Sequence, residues 1–260
     1  MGGGYAGAPK GETAQNIVLW ALESGYRHID TAARYANEED IGIGIIKSGI
    51  PRDQIFITTK IWDQDQGYES TLMAAETSLS KLQTSYLDLL LIHSPRPGSQ
   101  KRIESYRALQ ELVKRGKVKN IGVSNYCIKH LKELMDTNPE IMPVVNQLEV
   151  HPWNNRKEII SYCKEHKILV EASSPLTRGK KLNDHILVNI AEKYNRSTAQ
   201  ILIRWCLQNN FAVLPKSTNK MHIIDNTNVY DFVIEDEDMN ILDNLDEHFI
   251  TGGWDPVTAD

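Results

Sequence analysis

The stretch Leu87-Asp-Leu-Leu-Leu-Ile-His93 is an almost unbroken apolar run that ends on a histidine. Runs of this kind are typical of parallel strands, because a parallel sheet is buried on both faces and its strands do not alternate between polar and apolar residues. A polar side chain at the end of a buried strand costs desolvation energy unless it binds something. The run therefore indicates a parallel sheet with a functional residue at its carboxyl edge.

Six further runs repeat this design, and each ends on or near a polar residue able to do chemistry. They span residues 26–30, 55–60, 120–125, 144–150, 168–174 and 212–217. When parallel strands close into a ring, their carboxyl ends meet at one mouth, and a (β/α)8 barrel builds its active site there. The eighth strand can only be placed at residues 2–5, which are short and glycine-rich.

Segments with helical periodicity separate the runs, at 14–24, 38–48, 70–82, 102–115, 129–135, 156–166, 184–194 and 197–209. A Ser/Thr cap is expected to open the third of them, and Ser197 and Thr198 the last. The alternation predicts an α/β fold, a (β/α)8 TIM barrel, in one domain over residues 1–260. A doubly wound sheet is the alternative, but no G-x-G-x-x-G turn follows the first run.

Composition limits the class of protein. The 260 residues are 41% hydrophobic and 24% charged with a net charge of −5, which argues against a nucleic-acid or polybasic membrane surface. The sequence contains no apolar stretch of the roughly 20 residues that a membrane span needs and no basic, apolar leader. Three unpaired cysteines suit a reduced, cytoplasmic protein. The sequence offers no His/Cys/carboxylate spacing typical of a metal site.

Six motifs together resemble those of the aldo-keto reductase family, in the family's order and over nearly the whole chain. They are Gly25-Tyr-Arg-His-Ile-Asp-Thr-Ala-Ala-Arg-Tyr-Ala-Asn-Glu38, Thr58-Thr-Lys-Ile-Trp62, Leu91-Ile-His-Ser-Pro95, Gly122-Val-Ser-Asn125, Val145-Asn-Gln-Leu-Glu149 and Leu214-Pro-Lys-Ser217. Within the family, the chain is most similar to short-loop microbial or fungal reductases of small aldehydes and sugars.

The resemblance implies a catalytic tetrad of Asp30, Tyr35, Lys60 and His93. Reduction of a carbonyl by hydride needs a proton at the oxygen, and Tyr35 is expected to supply it. A free tyrosine has a pKa of about 10, and a nearby ammonium lowers that pKa by favouring phenolate. Lys60 would provide the ammonium, Asp30 would hold Lys60, and His93 would orient the substrate oxygen.

The resemblance also implies a site for NADPH, with NADH as the alternative cofactor. Ser124, Asn125 and Gln147 would grip the nicotinamide carboxamide, since amides offer donors and acceptors to a planar amide. Lys216, which would meet the 2′-phosphate, belongs to a larger expected set that comprises Asp30 and residues on the later strands and loops. That set is Asp30, Ser173, Ser174, Leu176, Thr177, Arg178, Lys216, Ser217, His222, Asp225 and Asn226. Lys180 and Lys181 fit either a pyrophosphate loop or a solvated basic loop.

Two positions depart from the family pattern. His222 stands where the family usually has an arginine beside the 2′-phosphate, and histidine lacks the planar fork of arginine. Ser173 stands where many members carry an aromatic ring that stacks on the nicotinamide. Weaker NADPH binding is therefore expected, with unchanged chemistry. Trp62, His93, Tyr126 and Trp153 are expected to line the substrate mouth.

The resulting hypothesis is a monomeric, cytoplasmic oxidoreductase that reduces aldehydes or ketones, with aldoses among the candidates, to alcohols by hydride transfer from NADPH. A nucleotide-binding regulatory subunit on the same fold is the rival, and an impaired product of a truncated gene is a second. Family members usually begin with a hairpin and a full first strand. Met1-Gly-Gly-Gly-Tyr5 begins inside that strand, so a truncated first strand, no N-terminal hairpin and an exposed apolar floor are expected.

Overall fold

Parallel strands and helices alternate through the computed structural model, which describes residues 7–253 and 255–260. The strands are β1 (His28–Asp30), β2 (Phe56–Ile61), β3 (Leu87–Ile92), β4 (Val118–Ser124), β5 (Val145–Glu149), β6 (Leu169–Ser173) and β7 (Ala212–Val213). The helices are α1 (Gly11–Glu23), α2 (Glu38–Lys47), α3 (Tyr68–Leu82), α4 (Ser99–Lys114), α5 (Ile128–Asp136), α6 (Lys157–Glu165), α7 (His185–Lys193), α8 (Thr198–Gln208), α9 (Lys220–Asp225) and α10 (Asp236–Asp243).

The seven strands follow one another in the sheet in chain order. Parallel registers place Asp30 opposite Thr58, Lys60 opposite Leu91, and Ile92 opposite Val123. The parallel, alternating architecture predicted from the apolar runs is confirmed. The predicted strand at residues 2–5 lies outside the described residues, so the eighth strand, its truncation and the missing hairpin stay predictions.

Strand β3 is buried along its whole length, as its apolar sequence predicts. Its one charged residue, Asp88, is also buried, and both of its carboxylate oxygens accept hydrogen bonds. Arg52 Nη2 donates to Asp88 Oδ2 at 2.7 Å, the Ile57 N–H donates to the same oxygen at 3.0 Å, and Lys119 Nζ reaches Oδ1 at 3.1 Å. A charge inside this strand is tolerated because each oxygen has a donor.

The chain divides into two compact units, one comprising the N-terminal part through Asn146 together with Pro256–Asp260, the other Gln147–Asp255. The single domain predicted for residues 1–260 stays a prediction. In the first unit, Ile57, Leu90 and Ile121 form part of the buried core. In the second, Leu202 and Trp205 are buried, and the Trp205 indole N–H donates to Asp243 Oδ1 at 2.7 Å.

Several element ends differ from the prediction. The prediction of a Ser/Thr cap for α3 is wrong. The helix begins at Tyr68, and its N-cap is Gly67. The φ of Gly67 is 123°, a value that is accessible to glycine. The cap on α8 is confirmed, since Ser197 Oγ accepts the Gln200 N–H at 3.2 Å and Gln200 Oε1 accepts the Ser197 N–H at 2.9 Å. These two residues form a reciprocal capping box.

Strand β7 ends at Val213, although the apolar run predicts a strand to residue 217. The Leu214 N–H still donates to Ala172 O at 3.1 Å, and Pro215 follows it. Proline has no N–H to continue a ladder, so the chain leaves the sheet and carries Lys216 into a loop. In the described part of the chain, no helix is long and apolar enough to cross a membrane.

Candidate active site

The buried pair Asp30 and Lys60 lies at the centre of the candidate site, in the first unit. Asp30 ends β1 and Lys60 lies near the end of β2, and both side chains are 5% exposed or less. Lys60 Nζ donates to both Asp30 carboxylate oxygens at 2.7 Å and to Thr31 O at 2.8 Å. The ammonium is therefore desolvated and fixed, and such a buried pair depends on this complete set of hydrogen bonds.

Tyr35 and His93 lie next to this pair. Tyr35 ends a one-turn 3₁₀ helix (Ala33–Tyr35) and is followed by Ala36 in the left-handed region at φ 52°. Lys60 Nζ is 5.2 Å from the centroid of the Tyr35 ring. The Tyr35 and His93 rings are 5.9 Å apart and nearly perpendicular, at 88°. The structure thus brings together all four residues of the predicted tetrad.

The His93 imidazole is held in its neutral form. Burial, reinforced by repulsion from the Lys60 ammonium, lowers the pKa of His93 to about 3 despite the nearby Asp30 carboxylate. Its Nδ1 is buried and has no hydrogen-bond partner among the described residues. A neutral imidazole still has one N–H, so His93 can donate a hydrogen bond without carrying a charge.

Ser124 and Asn125, the expected carboxamide ligands, adjoin the end of β3. Asn125 has a left-handed backbone at φ 65°. Its Nδ2 donates to His93 O at 2.9 Å and to Ser124 Oγ at 3.0 Å. Asparagine adopts this conformation more readily than most other residues. The loop after β4 is therefore fixed to the strand that carries His93.

In the second unit, Gln147 on β5 and Glu171 on β6 are buried together. Gln147 Nε2 donates to Glu171 Oε2 at 2.9 Å. Glu171 was missed by sequence reasoning, although a carboxylate inside the apolar run 168–174 needs a buried partner and so signals one. Glu171 therefore fixes the orientation of the Gln147 amide, the group that the sequence predicts as a cofactor ligand.

Arg178 and Lys216 are neighbouring cations of the second unit. Burial, and then repulsion from Arg178, lowers the pKa of Lys216. Two cations close enough to repel each other are stabilised by an anion between or beside them. Ser174, Thr177 and Arg178 all have left-handed backbones, at φ 50–51°. The sequence predicts that Arg178 and Lys216 meet the phosphates of a dinucleotide, and this stays a prediction.

The remaining predicted cofactor residues are placed as follows. Ser173 ends β6 and its carbonyl accepts the Val150 N–H, and Leu176 begins the turn in which Thr177 is buried. Ser217 precedes α9, and His222 is exposed on that helix. Asp225 is the last residue of α9, and Asn226, which follows it, is buried. Helices α9 and α10 were not predicted, because short, mostly exposed helices leave little apolar periodicity.

The predicted substrate residues differ in exposure. Trp62 is half-buried, and its ring lies 5.1 Å from the His93 ring at 79°. Tyr126 in the first unit and Trp153 in the second are 1% and 2% exposed. Of the three aromatic residues Trp62, Tyr126 and Trp153, Trp62 is therefore the one that lies against His93 and is partly exposed to solvent. Across the described residues, no cluster of three or more His, Cys, Asp or Glu side chains could hold a metal ion.

Comparisons with a family model, with curated proteins and with solved structures all find similarity to aldo/keto reductases or to other reductases. The sequence model of the aldo/keto reductase family matches residues 1–247. Glyoxal reductase of Bacillus subtilis (strain 168) is 48% identical to the chain over 237 residues, covering 91% of the chain and 85% of that protein.

Two solved structures extend the comparison. MGS-M4, an aldo-keto reductase from a Medee basin deep-sea metagenome library, has a TM-score of 0.90 at 43% identity, covering 94% of the chain and 90% of its own. An aldo-keto reductase of Bombyx mori, solved in complex with NADP, has a TM-score of 0.87 at 32% identity, covering 95% and 87%.

Proposed function

Because the chain belongs to the aldo/keto reductase family and is an NAD(P)H-dependent oxidoreductase, we propose that it reduces small aldehydes, and ketones less readily, to alcohols with NADPH. The observation that carries this proposal is the buried Asp30–Lys60 pair beside the Tyr35 ring, with His93 directly after the neighbouring strand β3. These groups provide a proton donor, a fixed positive charge and a neutral hydrogen-bond donor around one point.

Each residue of the tetrad has a distinct role in the proposal. NADPH, when bound, supplies the hydride. Tyr35 gives its hydroxyl proton to the substrate oxygen as negative charge develops there, and the Lys60 ammonium stabilises the phenolate that remains. Asp30 keeps Lys60 charged and in place. His93 donates its N–H to the same oxygen, and this donor persists through the neutral pH range because the imidazole is already uncharged.

NADPH is the proposed cofactor because a relative was crystallised with NADP, and because Arg178 is close enough to Lys216 to contribute to its lowered pKa, so that two cations are available to the 2′-phosphate. Ser124, Asn125 and Gln147 are the proposed carboxamide ligands. Ser173, Ser174, Leu176, Thr177, Ser217, His222, Asp225 and Asn226 complete the proposed cofactor site. The relative crystallised with NADP supports this choice of nucleotide. NADH is proposed as the weaker alternative, and a monomeric, cytoplasmic enzyme stays the prediction.

Small aldehydes are the proposed substrates because a relative of 48% identity is named glyoxal reductase. The half-buried Trp62 offers an apolar wall beside the tetrad and suits a small carbonyl compound. Tyr126 and Trp153 remain proposed lining residues. This substrate class is narrower than anything the fold alone implies, since one barrel fold hosts many reactions.

A coupled measurement of binding and turnover tests the proposal. NADPH and NADH oxidation would be followed by absorbance with glyoxal, methylglyoxal, an aldose and a ketone, alongside cofactor titration by fluorescence. We expect turnover with NADPH, fastest with the dialdehyde and the ketoaldehyde. NADPH binding without turnover of any carbonyl would overturn the proposal and favour the rival nucleotide-binding regulatory subunit.

A further inference from the structure

Cys127 and His130 form a thiol–imidazole pair that the proposed reduction does not use. Cys127 Sγ lies 3.3 Å from His130 Nδ1, and the Cys127 N–H donates to the same nitrogen at 3.2 Å. Cys127 is partly exposed, whereas Cys163 and Cys206 are buried. A nucleophile and a base within hydrogen-bond reach of each other are the usual signature of an activated side chain, provided that a third group orients the base.

That third group comes from a distant part of the chain within the same unit. His130 Nε2 lies 2.9 Å from Ala259 O, and the two residues are 129 positions apart. A carbonyl oxygen only accepts hydrogen bonds, so Nε2 of the neutral imidazole carries the proton. Nδ1 is therefore left with its lone pair free to take the proton of the thiol. His130 itself is fully buried, so this orientation is fixed by the protein and not by solvent.

The sulfur also lies where a negative charge is stabilised. Cys127 is the N-cap of α5, and its side chain accepts the His130 N–H in a capping box. The first turn of a helix favours an anion because its N–H groups and its dipole are directed towards that end. Partial burial alone raises the pKa of the Cys127 thiol, but hydrogen bonds from the side chain and backbone of His130 and from the Lys129 backbone outweigh it and lower the pKa to about 7. The thiolate, which is the nucleophilic form, is therefore well populated at neutral pH.

The other ionisable groups around this pair are held in fixed charge states. Arg102 on α4 donates from Nε and Nη2 to the two carboxylate oxygens of Glu133 on α5, at 2.7 and 3.0 Å. Arg102 Nη1 donates to Asp260 O at 2.7 Å, in the segment that carries the orienting carbonyl. The Tyr126 ring lies 5.6 Å from the imidazole, and burial raises the pKa of the Tyr126 hydroxyl, which therefore stays protonated. Titration of the thiol near neutral pH thus reports on the imidazole beside it.

We propose that Cys127 is a modification site that forms mixed disulfides with small disulfides, with His130 Nδ1 as the proton acceptor. After its proton has passed to Nδ1, the Cys127 sulfur attacks one sulfur of the disulfide. A new S–S bond forms, the bond within the reagent breaks, and the other half leaves as a thiolate that takes up the proton. The attacking sulfur is oxidised and the departing sulfur is reduced, so the disulfide is the only oxidant. The reaction uses none of the tetrad residues, and its test is independent of the proposed reductase function.

The test follows the reaction of the folded protein with 4,4′-dithiodipyridine by the absorbance of the released pyridinethione. One of the three thiols should react, with a rate that reaches half its plateau near pH 7, where an ordinary thiol would do so near pH 8.5. Peptide mapping should place the adduct on Cys127, and Cys127→Ser should abolish the reaction. Cys163 and Cys206 should react only after unfolding in urea, because both are buried.

His130→Gln tests the base, since glutamine removes the imidazole and keeps a side chain able to cap the helix. The midpoint should move up towards that of an ordinary thiol, about pH 8.5. The rate at pH 7 should fall about threefold, because the thiolate fraction falls more than the nucleophilicity of the remaining thiolate rises. His248→Gln is the matched control, because His248 is exposed, and it should keep the wild-type midpoint.

Glutathione disulfide provides a second reagent, with intact-mass spectrometry as the measurement. It should add one glutathione to the wild-type protein, and dithiothreitol should remove it. No adduct, an adduct on another cysteine, or a wild-type midpoint equal to that of an ordinary thiol would overturn the proposal, and none of these results depends on a variant that must fold. An unchanged midpoint in folded His130→Gln would overturn the role of His130.

Discussion

At the scale of single residues, the proposed reaction takes its proton from the phenol of Tyr35, and the Lys60 ammonium, 5.2 Å from the centroid of that ring, is proposed only to tune it. Tyr35→Phe should therefore lower kcat by about 100-fold or more, the loss expected for a general acid, while NADPH affinity changes by only a few-fold. Steady-state kinetics and fluorescence titration would measure the two effects.

Tyr230→Phe provides the control for this substitution, because Tyr230 is 75% exposed. It should leave both quantities unchanged. A Tyr35→Phe enzyme that kept more than about a tenth of kcat would show that another group delivers the proton.

A second prediction at this scale concerns His222, which is exposed in the first turn of α9, the helix whose N-cap is Asn219. His222→Arg should tighten NADPH and leave NADH unaffected, because only NADPH carries the 2′-phosphate that a guanidinium fork can bind. An exposed pair of charges contributes about 1 kcal/mol or less, so the expected gain in Kd is up to fivefold. Equal tightening of both cofactors would argue against a 2′-phosphate at this position.

At the scale of elements, Lys180 and Lys181 connect two segments of the second unit. Lys181 Nζ pairs with Glu247 at 2.5 Å and lies 5.6 Å from the Trp153 ring and 5.0 Å from the Phe249 ring. Lys180 Nζ donates to Thr251 O at 3.1 Å. Both lysines were predicted either to bind pyrophosphate or to be solvated, and this choice stays open: both have partners in the segment 247–251, and Lys180 is exposed.

Removing this link should loosen the loop that carries Arg178, the proposed phosphate ligand. Lys181→Met should raise the Kd for NADPH several-fold, mainly by faster dissociation, because it removes an ion pair and two cation–π contacts that are each weak at a partly exposed site. Stopped-flow fluorescence would measure the dissociation rate. Lys164 is exposed on α6, so Lys164→Met is the control. If NADPH dissociated at the same rate from both variants, the contacts of Lys181 with the segment 247–251 would have no role in holding the cofactor.

At the scale of the whole molecule, His93 couples folding to pH. Its pKa is about 3 in the folded protein and about 6.5 in an unfolded chain, so the unfolded state binds more protons between these values. Stability contributed by the neutral imidazole is complete above about pH 6.5 and is lost progressively as the pH falls towards 3. The expected loss is on the order of a few kcal/mol.

Urea titrations at several pH values would test this linkage. His93→Asn should reduce the slope of the unfolding free energy against pH between about 4 and 6.5, because the variant has no imidazole to protonate on unfolding. His248, which is 90% exposed on its side chain, provides the control, and His248→Asn should keep the wild-type slope. Identical slopes in all three proteins would mean that His93 is not held neutral by the fold.

The sequence by itself determined the repeating unit of this protein. An apolar run such as 87–93 is stable only when it is buried on both faces, and a serine such as Ser197 caps the helix that begins next to it. The strand ends also placed Asp30, Lys60 and His93 at one edge of a parallel sheet. These inferences succeeded because burial periodicity and capping are local properties that each segment carries in its own residues.

Only the tertiary structure decided what surrounds each of those residues. Gln147 donates a hydrogen bond to Glu171 on the neighbouring strand, and the Arg34 guanidinium carbon lies 5.0 Å from the centroid of the Trp62 ring. The same is true of the lowered pKa of His93, which arises from burial and from the charge of Lys60. Hydrogen-bond geometry and desolvation depend on distances through space between residues far apart in the chain, and no pattern within a single segment encodes them.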